Sequence, residues 1–243
     1  MRNLLVSRDR LFGEAGARTA LYVAAVLLGA MLPAEAADCS SSPEPGIDWS
    51  SCNRRNLAIS GANLERAHLG EADLSSTDLR SSTLTGANLE KARLVRASLA
   101  GASADQAVFD RVEGYRTNFS GTSANSASFQ SAELQRADFT NAVLTGADFQ
   151  KAELGRAKFK GAQLGNNRFA FANIARANFS QAKIGGPLDF TGAYLYLTRI
   201  EGTDLSAATG LDQAQINLAC GDGSTKLPSG LTPPETWPCA AAE

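Results

Sequence analysis

The chain has 243 residues, with 23 Lys and Arg, 25 Asp and Glu, and a formal net charge of −2. This near-neutral balance excludes a strongly acidic or a strongly basic protein. The four Cys include no closely spaced pair and His68 is the one His, which argues against a zinc site.

Residues 1–36 are predicted to form a secretory signal peptide. Arginines precede an apolar stretch from Ala20 to Leu32, and small residues at Ala34 and Ala36 suit a cleavage site. The stretch is short for a membrane span, which needs ~20 apolar residues; an uncleaved anchor is the alternative. We therefore expect a periplasmic or secreted bacterial protein with no stable membrane span after signal cleavage.

Residues 37–56 are predicted to form an N-terminal cap, in which Trp49 covers the start of the next segment. This region contains two of the four cysteines, and the other two lie near the opposite end of the chain. An even number of Cys in an exported protein indicates disulfides. Three pairings are possible, and we favour the two local ones, each contributing ~3 kcal/mol in the loop-entropy model. The cysteines concerned are Cys39, Cys52, Cys220 and Cys239.

Residues 57–208 are dominated by a five-residue repeat, which is unbroken from Ile59 to Ile184. A strand alternates with a period of two and a helix turns with a period of 3.6, so a period of five fits neither. It fits a chain that forms one side of a square and then turns a corner, with four sides in each 20-residue coil. On each side a large central residue and the small residue two positions before it point inward. Gly often occupies the corner two positions after the central residue, as at Gly61 and Gly86.

Phenylalanine adds a second periodicity, because it occupies the central position at every tenth residue from Phe109 to Phe179. A spacing of ten is half a coil, so Phe is predicted to stack on two opposite walls. Three central positions nearby carry small residues instead: Ala104, Gly114 and Ala124. They either compensate for the volume of the Phe rings or open a cavity or a kink in the core.

Segments such as Ala62-Asn63-Leu64 and Ala137-Asp138-Phe139 resemble the pentapeptide-repeat family, whose repeat is written A(D/N)LXX. The resemblance covers about three-fifths of the chain. It implies an all-β fold, a right-handed quadrilateral parallel β-helix, and the handedness comes from the resemblance alone. A long amphipathic α-helix is the structural alternative, and it fails because apolar residues five apart leave no continuous stripe on a helix.

The register shifts by one residue at Gly185-Gly186-Pro187 and then resumes for one more coil. Phe190 falls on a wall already occupied by Phe, so we interpret the shift as an enlarged corner. Residues 209–243 are predicted to form a short C-terminal helix and a Pro-rich cap closed by a disulfide. Asp212 and Gln215 suit a capping box at the start of that helix. The tail from Thr225 to Cys239 looks similar to tails of other exported bacterial pentapeptide-repeat proteins.

Charge is unevenly distributed along the chain and is the main indication of function. Residues 91–183 have 13 basic and 7 acidic side chains, whereas residues 37–90 and 184–243 are both acidic. Within the basic region, five arginines recur every 20 residues and therefore stack at one corner of one wall. We call them the arginine column: Arg96, Arg116, Arg136, Arg156 and Arg176. Three residues before its members runs a glutamate column, Glu113, Glu133 and Glu153.

Stacked arginines need anions nearby, because like charges ~4.8 Å apart repel by roughly 1 kcal/mol per pair in water. Either the glutamate column supplies them, giving a solvated ion-pair ladder, or a partner does. In the second case the column is an anion-binding stripe for a linear polyanion such as an acidic polysaccharide, lipopolysaccharide or nucleic acid. Nucleic acid is the least favoured of the three, because few aromatic residues accompany the arginines.

A second candidate surface is a contact patch of Tyr194, Tyr196 and Arg199 beside the enlarged corner. Both tyrosines flank the inward-facing Leu195 and should face outward. Exposed aromatic residues can mark a contact site; the alternative is that they pack under the C-terminal tail.

No catalytic constellation, phosphate-binding loop or metal-ligand cluster is evident in the sequence, and no cofactor is predicted. We therefore expect an exported non-enzymatic protein that offers a rigid binding or scaffold surface to an anionic polymer or to a protein. Two alternatives come from other classes. Some members of the family mimic DNA and bind DNA gyrase, but that role requires an acidic cytoplasmic rod. A polysaccharide-acting enzyme would need paired carboxylates, and none stands out.

Overall fold

The computed structural model describes residues 37–239. The predicted signal peptide, residues 1–36, lies outside the described residues. Within 37–239, no helix combines the length and the hydrophobicity needed to cross a bilayer.

A parallel ladder of backbone contacts joins residues 20 apart, which establishes a coil of four pentapeptides. The residue before each central position pairs with its equivalent in the next coil, as in Asn63 with Thr83 and Glu113 with Glu133. Four short strands extend this ladder: β1 (Gln163–Leu164), β2 (Asn167–Arg168), β3 (Lys183–Ile184) and β4 (Leu188–Asp189). β1 pairs with β3 and β2 pairs with β4, both in parallel.

Each corner is a tight turn closed by a backbone hydrogen bond. The amide of Ala67, for example, donates to the carbonyl of Leu64 at 3.1 Å. The residue two positions after the central one has a positive φ, as in Gly61 (72°) and Arg116 (58°). Asp or Asn just before the central residue accepts a hydrogen bond from the backbone two positions later, as Asp73 does from Ser75 (3.1 Å).

The core is a column of large central residues and small partners that are almost completely buried. The Phe residues form two stacks, as the spacing of ten predicts. Rings one coil apart are parallel, with centroids 4.8 Å apart for Phe109 and Phe129, and rings on opposite walls meet edge to face at 5.5 Å for Phe109 and Phe119. Gly114 leaves no gap, because a Cβ there would lie 2.7 Å from Leu134 Cδ2. The small central residues thus compensate for volume at this position.

The enlarged corner at Gly185-Gly186-Pro187 is present, and it lengthens the coil by one residue. Asn167 pairs with Leu188 and Asn173 with Tyr194, both 21 residues apart. Phe190 stacks on Phe169, with centroids 5.3 Å apart. The extra residue is therefore absorbed in the corner, and the walls remain aligned.

The ladder extends past the predicted limits of residues 57–208 at both ends. It begins at Asp48, which pairs with His68, and continues after helix α1 (Gln213–Leu218) to Cys220 and Lys226. The predicted capping box is present, because Asp212 accepts from the backbone of Gln215 and Gln215 returns a bond to Asp212.

Disulfides join Cys39 to Cys52 and Cys220 to Cys239, the two local pairings. At the first end Trp49 is fully buried, and Arg54 lies over its ring at 4.0 Å. At the other end the Trp237 indole donates to the carbonyl of Ala219.

Candidate functional site

The arginine column lies along one corner of the solenoid, and its position follows from backbone register. Its members all occupy the positive-φ corner position, with φ between 58° and 61°. The wall that ends at this corner has central residues Leu94, Gly114, Leu134, Leu154 and Ile174, and we call it the arginine wall. Because Phe rings one coil apart are 4.8 Å apart, the arginines repeat at about the same interval along the axis.

All five arginines are exposed, and none forms an ion pair within 4.0 Å in residues 37–239. The glutamate column has other partners. Glu113 accepts from Arg93 at 2.9 Å, and Glu153 accepts from Asn173 at 2.8 Å. The ion-pair ladder expected as one alternative is therefore absent from the described arginine column.

Two basic residues at the preceding corner of the same wall are paired. Lys91 contacts Glu71 at 3.2 Å, and Arg111 contacts Glu90. Lys151 occupies that corner as well and has no ion pair among the described residues. The arginine column differs from this corner because all five of its cations are without an ion pair.

A surface groove of about 550 Å³ runs beside the column. One side is formed by arginines of the column, and the other by the outward column of the next wall. Its lining consists of Arg116, Asn118, Arg136, Asp138, Arg156 and Lys158, a formal charge of +3.

Asp138 is the single acidic group of this groove lining. It accepts from the backbone of Thr140 at 3.0 Å and from Lys158 at 3.1 Å. Burial raises the pKa of Asp138, but these hydrogen bonds and the Lys158 charge outweigh burial and hold its pKa below the ordinary value. Asp138 is therefore an ionised acceptor at neutral pH, in a groove that otherwise carries positive charge.

The structure divides the predicted contact patch between two walls. Tyr194 and Tyr196 lie on the arginine wall, 50% and 41% exposed, so the C-terminal tail does not cover them. Their rings are nearly parallel, with centroids 6.2 Å apart. Arg199 lies across the corner at Leu197, in the ladder with Asn178, and pairs with Glu201 at 3.0 Å.

Phe171, 61% exposed, adds a third aromatic residue near the tyrosines. Its ring lies over Gly192 at the corner that precedes the arginine wall. We call Phe171, Tyr194 and Tyr196 the aromatic patch. The enlarged corner places Phe171 21 residues before Gly192, at the corner that leads to Tyr194.

A second groove, of about 490 Å³, lies near Arg199 and Glu201 and has a mixed polar lining. Among the described residues, no group of three or more His, Cys, Asp or Glu side chains is arranged to hold a metal ion. The surface is therefore a rigid array of regularly spaced hydrogen-bond donors, with aromatic residues at one end.

Fold and surface together define a repeat β-helix with an exposed cationic face. A model of pentapeptide repeats matches the chain in eight copies, over residues 59–94, 92–130, 125–161 and 147–186. The chain therefore belongs to the pentapeptide-repeat family.

Solved structures resemble the chain to different degrees. A trypsin-treated variant of QnrB1, a plasmid-mediated fluoroquinolone resistance protein, is 16% identical over 77% of this chain and 93% of that chain, with a TM-score of 0.64. HetL, a pentapeptide repeat protein involved in heterocyst differentiation regulation in the cyanobacterium Nostoc sp. strain PCC 7120, is 21% identical over 82% and 92%, with a TM-score of 0.49. No curated protein matches the chain significantly. At these identities the likeness concerns the fold alone.

Proposed function

We propose that this protein is an exported, non-enzymatic binding protein whose rigid face takes up a linear anionic polymer along the arginine column. The observation that carries the proposal is that all five arginines of one continuous column are without an ion pair, whereas Lys91, Arg93 and Arg111 on the same wall are paired. An exposed ion pair contributes ~0–1 kcal/mol, so several arginines must act together on one polymer.

Rigidity supports the same proposal. The column is fixed to a backbone in which neighbouring coils are hydrogen-bonded at every corner, for example Arg136 N to Gly155 O at 2.9 Å. A surface that does not rearrange on binding loses less conformational entropy than a flexible one. The repeat thus presents a preformed line of guanidinium groups.

Export is part of the proposal and is supported by the two disulfides, which persist in oxidising compartments. We also propose that the coil is right-handed, as in the family, and that the two disulfide-closed ends act as caps over the apolar core. Cell fractionation with alkylation of free thiols tests export. Protein found in the cytoplasm with reduced Cys would contradict it.

A protein partner is a second candidate, because exposed aromatic side chains often mark contact sites. The DNA-mimic role is not favoured, since a mimic of DNA must be acidic where this wall is basic. Catalysis is not favoured either, because the carboxylates of the arginine wall form a regular array.

Binding of polygalacturonate, single-stranded DNA and neutral dextran, at low and at high salt, tests the function. The test variant combines Arg116→Gln, Arg136→Gln and Arg156→Gln. Gln tolerates the positive φ of a corner, because Gln106 and Gln181 occupy the equivalent position at other corners with φ of 60° and 61°. The matched control removes three exposed cations from other walls: Arg66, Arg168 and Lys183.

We expect the purified protein to bind at least one polyanion and not to bind dextran. Its affinity for the polyanion should fall as the salt concentration rises. The arginine triple variant should bind about tenfold or more weakly, which corresponds to ~1.4 kcal/mol, and the control triple variant should bind nearly as well as wild type. Equal binding by both triple variants would refute the role of the column.

A further inference from the structure

We infer that the anionic polymer is an acidic polysaccharide with one carboxylate per sugar, lying along the groove parallel to the solenoid axis and ending against the aromatic patch. This inference rests on the proposed function and names its ligand class. Three independent features of the described residues support it.

The first feature is the spacing of charge. The guanidinium groups repeat with the coil, at the 4.8 Å interval measured between stacked Phe rings. Phosphates along one strand of duplex B-DNA repeat every ~3.4 Å of axis, so a DNA duplex falls out of register within a few coils, and a single strand has no fixed repeat that would match the column. An extended pyranose chain advances by a length close to the coil interval for each sugar. A uronate polymer therefore offers about one carboxylate to each arginine.

The second feature is Asp138 in the groove, between Arg136 and Lys158. Asp138 is ionised, so it can only accept hydrogen bonds. A phosphate chain has no donor for it and is repelled by its charge. A polysaccharide has hydroxyl groups that can donate to the carboxylate while its own carboxylates engage the arginines. The groove thus contains both kinds of group that a uronate chain requires.

The third feature is where the column ends. After Arg176 the next residue in the column is Leu197, and Tyr196 precedes it on the same wall. The aromatic patch is the most exposed apolar surface of residues 37–239, with Phe171, Tyr194 and Tyr196 all at least 41% exposed. The C–H face of a sugar ring packs well on an aromatic ring. Base stacking would instead need aromatic residues interleaved along the column, where Val95, Gln135, Gly155 and Ala175 accompany Tyr115.

The decisive experiment compares an oligogalacturonate with single-stranded DNA of equal charge, by calorimetry on the full protein at one salt concentration. The key variant is Asp138→Asn. Its matched control is Asp148→Asn, because Asp148 has the same kinds of partner on a different wall: the backbone of Gln150 at 2.9 Å and Arg168 at 3.3 Å.

The inference predicts that wild type prefers the oligogalacturonate. Asp138→Asn should weaken oligogalacturonate binding about tenfold or more, the loss of one hydrogen bond to a charged group, and should strengthen DNA binding. Asp148→Asn should change neither. A double variant, Tyr194→Ala with Tyr196→Ala, should weaken binding of the oligogalacturonate and leave DNA binding unchanged.

Two outcomes would overturn the inference, and they are distinguishable. If DNA binds as tightly as the oligogalacturonate, or if Asp138→Asn strengthens both, the groove does not select a polysaccharide, so the inference fails while the proposed function stands. If wild type binds neither probe, the arginine column is not a polyanion site. The proposed function then fails with the inference, and the protein partner becomes the surviving candidate.

Discussion

The coils from Leu64 to Leu99 and those from Phe109 to Phe179 have the same backbone but different interiors. In the first group, which we call the Leu coils, all four walls carry Leu. In the second, the Phe coils, two opposite walls carry stacked Phe, and smaller residues occupy several positions on the other two. The ladder of pairs 20 residues apart passes from one group to the other without interruption.

The register of the solenoid is therefore set by the corners and the backbone ladder, while the interior needs only a constant total volume. Where Phe enters, Gly114 leaves room that Leu134 fills. The outer surface is therefore independent of core composition. The arginine column begins in the Leu coils at Arg96 and continues along the Phe coils in the same line.

The greatest loss of unfolding free energy should come from truncating one central side chain in each group. Phe139 meets the Phe129 and Phe149 rings edge to face at 5.7 Å and stacks on Phe119 at 4.8 Å. Phe139→Ala should cost about 4 kcal/mol of unfolding free energy, and Leu79→Ala in the Leu coils about 3 kcal/mol. Urea denaturation followed by circular dichroism measures both. A larger loss at Leu79 would show that the aromatic stacks add nothing beyond volume.

A smaller effect is expected from adding one methyl group where the Phe coils are already full. Gly114→Ala would bring a Cβ to 2.7 Å from Leu134 Cδ2 and 3.1 Å from Thr117 Oγ1. Overpacking of this kind costs about 1–3 kcal/mol. Gly155 lies on the same wall, and a Cβ there meets the Ala175 carbonyl oxygen at 3.8 Å, so Gly155→Ala is the control and should be nearly neutral. Equal stability of the two variants would contradict tight compensation at Gly114.

The smallest effect is the response to acid, because the pKa is lowered at Asp73 and Asp78 in the Leu coils and at Asp48 before them, but also at Asp138 in the Phe coils. Hydrogen bonds from Ser50 lower the pKa of Asp48, and hydrogen bonds from Arg80 lower the pKa of Asp78 to about 2. A carboxyl group whose pKa is lower in the folded state stabilises the protein above its unfolded pKa. This stability is lost as pH falls from 3.8 through the folded value. The N-terminal end should therefore loosen between about pH 4 and pH 2.

Trp49 can report on that end alone if Trp237→Phe removes the other tryptophan. Its fluorescence should change at a higher pH than the circular dichroism signal of the whole solenoid. Asp78→Asn should make the fluorescence change less dependent on pH. Coincident transitions by both methods would show that acid acts on all coils together.

Much of the fold was predictable because every pentapeptide encodes the same local conformation. The period of five, the Phe stacks, the enlarged corner after Ile184 and the capping box at Asp212 each depend on residues close in sequence or on a fixed 20-residue offset. The ends were less predictable. Cys220 and Lys226 continue the ladder after helix α1, although no pentapeptide pattern leads to them.

The amino-acid sequence alone predicts which residues point inward and which stack in columns, because a strict period of five assigns every residue to a wall or a corner. Only the folded structure shows which charged side chains pair, that the Phe171 ring lies over Gly192, and that Arg199 belongs to a different wall from Tyr194. Those outcomes depend on the way in which long side chains reach from one coil to the next, and on one extra residue at a corner. A repeat pattern does not encode either of them.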